Sequence, residues 1–163
     1  MIVYLIRHGE AVEQSLSGAD ADRALTLKGS EQAQALAAYL KRESAVQENP
    51  TRIEVIASPY VRTRQTAAPI WEILEQAEKV DDRLAAVSSV SEIIEVISEA
   101  QDHDIAVVSH NPIISRAVDV LIDGPEAQRM FLMAPGQLIA LRVDPERLIG
   151  TGELFDRYRV GDC

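Results

Sequence analysis

Short apolar runs alternate along this chain with longer amphipathic segments, and this alternation is the feature that most limits its fold. Three of the runs, Ile2–Ile6, Ile53–Ala57 and Ile105–Val108, are continuous and rich in β-branched residues. Such runs are typical of strands that are covered on both faces, as in a parallel sheet. Strands that alternate with helices build layered α/β folds. The sequence therefore predicts a three-layer α/β/α sandwich with a mainly parallel central sheet.

Helix-capping and helix-breaking residues set the remaining boundaries. Thr26 and Ser58 are suitable N-caps, and Pro59 suits the first turn of a helix. The predicted helices run from Thr26 to residues 44–47, from Ser58-Pro59 to about Ala77, over Ser91–Ala100, and onward from Asn111-Pro112. Two later runs, Leu138–Val143 and Leu154–Val160, have the pattern of strands, and the second is expected at a sheet edge.

Length and charge exclude several classes of protein. The chain has 163 residues, of which 47% are hydrophobic and 26% are charged, so we expect residues 1–163 to form a single globular domain. The net charge is −10, from 16 basic and 26 acidic residues. Binding to nucleic acid or to an anionic membrane surface needs a basic face, so we expect neither. An anionic ligand would have to bind in a local basic pocket.

Cysteine content and hydropathy bear on the cellular compartment. Cys163 is the single cysteine, so no disulfide can form within the chain, and a reducing compartment is favoured. No apolar run approaches the ~20 residues of a membrane span. Met1–Leu5 enters a strand-like run directly, so we expect no signal peptide. These features predict a cytoplasmic protein.

Polar blocks follow three of the predicted strands. The blocks are Arg7-His8-Gly9-Glu10, Ser58-Pro59-Tyr60-Val61-Arg62 and Ser109-His110-Asn111-Pro112. Ligands of open α/β sheets bind outside the carboxyl ends of the strands, so two histidines and two arginines should meet on one rim. The helices that follow would add free N–H groups at their N-termini. The sequence therefore predicts an anion pocket that contains histidine.

These blocks resemble the conserved motifs of the histidine phosphatase superfamily. Arg7-His8-Gly9-Glu10 is similar to its RHG motif. The other blocks follow in the family's order: Arg23 and Leu25-Thr26 with Gly29, then Ser58-Pro59 with Arg62 and Gln65-Thr66, then Ser109-His110-Asn111-Pro112. A single tripeptide would be weak support, whereas four ordered blocks are specific. The resemblance covers residues 1–122, and the short chain is most similar to the SixA-type phosphohistidine phosphatases.

The resemblance implies a role for each of five residues. His8 would be the nucleophile, with its tautomer set by the carbonyl of the next residue, and would form a phosphohistidine intermediate. Arg7 and Arg62 would bind the phosphoryl oxygens, and Arg23 would reach the phosphate from a loop. His110 would stabilise the developing charge. No cofactor is implied, and the three scattered histidines lack the spacing of a metal site.

One departure from the family bears on the substrate. Larger relatives have a glutamate after the second helix that protonates the leaving group. The corresponding stretch here, residues 83–89, contains neither aspartate nor glutamate. Asp81, Asp82 and Glu92 are the nearest acidic residues, so the proton donor is unassigned. The missing acid favours a phosphohistidine-bearing protein as the substrate. The alternatives are a phosphatase for a small phosphorylated metabolite and a non-catalytic domain that binds a phosphorylated ligand.

Overall fold

The computed structural model describes residues 1–46, 52–100, 102–128 and 131–160, so Cys163 lies outside the described residues. Its strands are β1 (Ile2–Arg7), β2 (Ile53–Ala57), β3 (Asp104–Ser109), β4 (Gln137–Arg142) and β5 (Glu153–Arg159). Its helices are α1 (Leu27–Val46), α2 (Val61–Ile73), α3 (Val90–Ser98) and α4 (Ile113–Asp123). None of the helices in the described ranges is both long enough and apolar enough to cross a membrane.

The strands form one mixed sheet with the order β2-β3-β1-β4-β5. The pairings of β3 with β2 and with β1 are parallel, whereas those of β4 with β1 and with β5 are antiparallel. The prediction of a mainly parallel sheet is therefore only partly right. Strand β4 begins at the carboxyl end of β1, where Leu138 pairs with Ile6. Strand β4 must then run in the opposite direction to β1.

Helices cover both faces of the sheet, which confirms the α/β/α arrangement. Successive side chains of a strand point to opposite faces. Val3 and Leu5 of β1 pack with apolar residues of α3 and α4, whereas Tyr4 and Ile6 pack with those of α1 and α2. The central strands are thus buried on both sides, as their continuous apolar sequences predict.

The predicted helix boundaries agree with the structure in α1 but not in α2, and α3 spans Val90–Ser98, with Ser89 as its N-cap, rather than Ser91–Ala100. The Gly29 amide donates to Thr26 Oγ1 at 3.1 Å, which confirms Thr26 as the N-cap of α1. Helix α2 begins after Tyr60 rather than after Ser58, and the Ser58 hydroxyl lies 2.7 Å from His110 Nε2. It ends at Ile73 rather than near Ala77, and Glu75 then adopts a left-handed φ of 55°.

Candidate active site

A cavity of about 370 Å³ opens at the carboxyl ends of β1, β2 and β3. All five residues predicted for the site line it: Arg7, His8, Arg23, Arg62 and His110. The parallel part of the sheet aligns these strand ends, and each side chain follows a strand end or comes from the adjoining loop or helix turn. The predicted gathering of two histidines with basic residues is therefore confirmed.

The His8 side chain has a defined tautomer. Its Nδ1 lies 2.7 Å from the main-chain oxygen of Gly9. A carbonyl oxygen only accepts hydrogen bonds, so Nδ1 carries the proton and donates it. Arg62 Nε donates to the other ring nitrogen, Nε2, at 3.2 Å. The Nε2 lone pair of His8 therefore faces the guanidinium group of Arg62.

Burial keeps the His8 ring neutral. His8 is 8% exposed. Burial lowers its pKa to about 4, the hydrogen bond to Gly9 partly opposes this, and the charges of Arg62 and Arg7 add to the lowering. At neutral pH the ring is unprotonated at Nε2, which is the form that can act as a nucleophile.

His110 lies beside His8 with its ring turned edge-on. The ring centroids are 5.3 Å apart and the rings are inclined at 62°. Burial is the largest cause that lowers the pKa of His110 to about 3, followed by the charges of His8 and Arg62. A neutral His110 still donates one hydrogen bond, from Nδ1 when the Ser58 hydroxyl donates to Nε2. Its Nδ1 is buried and has no hydrogen-bond partner among the described residues.

Arg62 is held rigidly in the first turn of α2. It is 3% exposed, and its guanidinium lies 5.0 Å from the centre of the Tyr60 ring. Arg64, which the helical spacing predicts to face solvent, is half-exposed and pairs with Glu78 at 2.6 Å. The two arginines thus lie on different sides of the same helix, as predicted.

Arg7 is fixed by a segment in which the sequence shows no motif. Its Nη1 donates to the main-chain oxygen of Met133 at 2.7 Å, and Asn111 Nδ2 donates to the same oxygen at 2.9 Å. The Gly136 amide donates to the main-chain oxygens of Arg7 and His8. Arg7 Nε is buried without a hydrogen-bond partner in the part of the chain that the structure describes. Since buried polar atoms are normally paired, this unpaired donor in a residue of the cavity wall is consistent with a role for Arg7 in binding an oxyanion.

Asp20 is a further residue of the cavity, which the sequence analysis treats only as part of an acidic loop. Its carboxylate accepts from Arg62 Nη2 at 3.0 Å and from Arg23 Nε at 2.8 Å. Burial acts to raise the pKa of Asp20, but the hydrogen bonds from Arg62 and Arg23 outweigh it and lower the pKa. The only available signal is its place three residues before Arg23, a common spacing for exposed ion pairs.

Two glycines let the His8 loop approach α1 closely. A Cβ on Gly29 would lie 2.0 Å from the main-chain oxygen of Glu10, and a Cβ on Gly9 would lie 2.6 Å from the main-chain oxygen of Gly29. The Gly9 amide also donates to Thr66 Oγ1 at 3.0 Å. Residues of three of the four sequence blocks therefore contact one another around the main chain of Gly9, whose carbonyl orients His8.

The two buried histidines make the stability of the fold depend on pH. Their pKa values are lowered to about 4 and about 3, so both bind protons more readily in the unfolded chain. Their stabilising contribution is full above pH ~6.5, the ordinary histidine value, and decreases as the pH falls towards 4. We expect each histidine to lower the free energy of unfolding by about 2 kcal/mol between pH 7 and pH 5.

Urea unfolding at pH 7 and pH 5 measures this effect. His110→Gln should reduce the difference between the two pH values by about 2 kcal/mol relative to wild type. If the free energy of unfolding of His110→Gln falls between pH 7 and pH 5 by as much as that of the wild type, His110 does not cause this pH dependence.

Comparison with known proteins identifies the family. The model of the histidine phosphatase superfamily (branch 1) matches residues 3–89, which is more than half of the chain. The chain belongs to the histidine phosphatase superfamily. Members of this superfamily are phosphatases, and the match includes the Arg7-His8-Gly9 block together with Arg23 and Arg62. A comparison with curated protein sequences finds no match.

Solved structures of other proteins show the same fold as this chain. The protein histidine phosphatase SixA complexed with tungstate superposes with a TM-score of 0.78 at 22% identity, covering 96% of each chain. A structure assigned to SixA from Agrobacterium tumefaciens gives 0.77 at 21% identity, covering 98% of each chain. A mycobacterial glucosyl-3-phosphoglycerate phosphatase gives 0.69 at 16% identity, covering 94% of this chain and 97% of the other.

The acidic residues nearest the position of the missing glutamate make other contacts in this member of the superfamily. Asp81 pairs with Arg83 at 2.7 Å, and Glu92 accepts from the Ser89 amide in the capping box of α3. None of Asp81, Asp82 and Glu92 lines the cavity. From residues 83–89, Ala86 is the residue that does. The carboxylates that do line it are Glu10 and Asp20. In the described residues, no cluster of three or more His, Cys, Asp or Glu side chains could hold a metal ion.

Proposed function

We propose that residues 1–163 form a single-domain phosphatase of the cytoplasm that hydrolyses phosphohistidine in proteins through a covalent intermediate on His8. The observation that carries the proposal is the His8 tautomer. Nδ1–H is bound to the Gly9 carbonyl, and the unprotonated Nε2 accepts a hydrogen bond from Arg62 Nε, a donor that phosphoryl oxygens would take over when the substrate binds. This arrangement presents a neutral nucleophile to an anion-binding group.

The reaction takes place in two steps. His8 Nε2 attacks phosphorus as the phosphorus–nitrogen bond of the substrate breaks, and the departing ring, which already carries a proton on its other nitrogen, leaves as neutral imidazole. Water then attacks the phosphorylated His8, which releases inorganic phosphate and restores the neutral ring. Arg7, Arg62 and Arg23 bind the phosphoryl oxygens, and His110 donates a hydrogen bond to them. Positioning and charge supply most of the rate in such transfers.

The leaving group decides which substrates suit the site. An alkyl ester expels an alkoxide and needs a proton donor, whereas phosphohistidine releases an imidazole that can carry its own proton near neutral pH, since its reference pKa is about 6.5. Asp20 is paired with Arg62 and Arg23, and Glu10 lies 3.4 Å from Lys28 Nζ. Both carboxylates of the cavity thus lie beside cations, and the hydrogen bonds from Arg62 and Arg23 lower the pKa of Asp20 and favour its ionised form over an acid.

A comparison of leaving groups tests the proposal. We expect kcat/KM to be high for a phosphohistidine peptide, intermediate for an aryl phosphate, and at least about tenfold lower for a phosphoserine peptide or glycerol phosphate. All four substrates are assayed with one preparation of the full chain. An alkyl ester that is turned over as fast as phosphohistidine would favour a phosphatase for a small metabolite. Glu10 and Asp20 would then be the first residues to replace. Loss of all turnover, with phosphate still bound, would favour a domain that only binds phosphorylated ligands.

A further inference from the structure

The Asp20 side chain lies against two arginines of the cavity. It belongs to a short 3-10 turn, Asp20–Asp22, in the segment between β1 and α1. Its Oδ2 accepts from Arg62 Nη2 at 3.0 Å, and its main-chain oxygen accepts from Arg62 Nη1 at 2.7 Å. Its Oδ1 accepts from Arg23 Nε at 2.8 Å. Asp20 therefore accepts hydrogen bonds from two of the three guanidinium nitrogens of Arg62.

The same donors are needed by a phosphoryl group. The third nitrogen of Arg62, Nε, lies 3.2 Å from His8 Nε2. A phosphorus atom placed for attack by His8 Nε2 brings its oxygens to this guanidinium, which binds oxyanions in a planar, charge-assisted manner. A carboxylate and a phosphoryl face cannot both use these N–H groups. Two anions at such close range also repel each other.

The two partners differ in how firmly they are held. The Arg62 side chain is 4% exposed, whereas the Asp20 side chain is 60% exposed. Arg62 comes from a helix and packs on the Tyr60 ring, while Asp20 is on a surface turn. An exposed ion pair contributes little stability, so the carboxylate can move away at small cost. An incoming anion therefore displaces Asp20 and leaves Arg62 in place.

We propose that the Asp20 carboxylate is an internal competitor of the phosphoryl group for Arg62 and Arg23. It contacts these arginines between turnovers, yields to a dianionic phosphoryl group, and returns as inorganic phosphate leaves. The competition weakens the binding of substrate and product alike and so speeds the release of inorganic phosphate. No covalent step is involved. The inference rests on the proposed function of the site, because it assumes that the phosphoryl group binds at Arg62.

Removing the charge of Asp20 should tighten phosphate binding. Asparagine has the same size but no charge, so its hydrogen bonds to the arginines are weaker than those of the carboxylate. The fraction of molecules with free donors rises, and the apparent Kd falls in proportion. We expect the Kd of inorganic phosphate to fall by about three- to tenfold in Asp20→Asn, the range for one exposed or partly buried ion pair.

Isothermal titration of inorganic phosphate into the full chain measures this directly. Asp22→Asn is the matched control, because Asp22 is in the same turn and carries the same charge but accepts from Ser17 Oγ. Its Kd should equal that of the wild type. Asp20→Ser is a second variant that guards against a local effect of asparagine. The inhibition constant of phosphate against an aryl phosphate substrate should fall in parallel with the Kd.

The remaining outcomes overturn the inference. A Kd in Asp20→Asn that equals or exceeds the wild-type value shows that the carboxylate does not compete. A selective loss of kcat for a phosphoserine peptide, with the phosphate Kd unchanged, would make Asp20 a proton donor instead. If covalent phosphate still forms on His8 in either case, the proposed function stands. If no folded variant binds phosphate and none forms that intermediate, both proposals fail.

Discussion

Replacement of His8 by alanine should abolish the covalent intermediate and lower kcat/KM for a phosphohistidine peptide by at least about 1000-fold, the scale of losing a nucleophile. The physical reason is that no other described side chain presents a neutral, oriented nucleophile beside Arg62 Nε. Rapid quenching with a labelled substrate measures both quantities. The wild type should carry phosphate that is labile in acid and stable in alkali.

His103→Ala is the matched control for this experiment. His103 lies outside the cavity and contacts Glu54 Oε2 at 3.1 Å, so its removal should leave both the label and the turnover unchanged. Label of full yield in His8→Ala, or label that proves to be on serine, would exclude His8 as the nucleophile.

Arg62→Ala should lower kcat/KM by about 100-fold, because it removes a preorganised donor from the developing phosphoryl charge. We expect kcat to fall and not only KM to rise, since Arg62 Nε also contacts the attacking atom, His8 Nε2, at 3.2 Å. Steady-state kinetics with an aryl phosphate separates the change in kcat from that in KM. Arg62→Lys should recover only part of the loss, because an ammonium group cannot reproduce the planar fork.

Arg64→Ala tests the same helix on its other side. Arg64 is half-exposed and pairs with Glu78, so its replacement should change kcat/KM by less than about twofold. Thermal unfolding of both alanine variants separates lost chemistry from lost structure. Equal losses of activity in two folded variants would mean that the charge of α2, and not the position of Arg62, is what matters.

Much of the site follows from local sequence. Arg7, His8 and His110 come directly after buried strands, and Arg62 is in the first turn of the helix that follows β2. The carboxyl ends of neighbouring parallel strands meet at one edge, so the convergence of these side chains needs no long-range information. The β-branched runs and the capping residue Thr26 likewise predict their elements, because such preferences act over a few residues.

Other features depend on contacts between distant parts of the chain. The role of the Met133 carbonyl as the partner of Arg7 joins residues 126 positions apart, and it involves a main-chain group that every residue possesses. The pairing of Asp20 with Arg62 joins a loop to a helix that begins some forty residues later. Neither contact has a sequence signal. The acidic residues nearest Arg83, for which the sequence assigns no role, lie outside the cavity, whereas Glu10 and Asp20 line it.

The sequence by itself determined the layered α/β class, the buried central strands and the residues that meet at their carboxyl ends, since hydrophobic periodicity and strand-end chemistry are local properties. Only the tertiary structure decided the direction of β4 and β5, the end of α2 at Ile73 and the placement of Asp20 in the cavity. These depend on which surfaces the folded chain brings together, and burial, charge pairing and strand pairing act there between residues far apart in sequence.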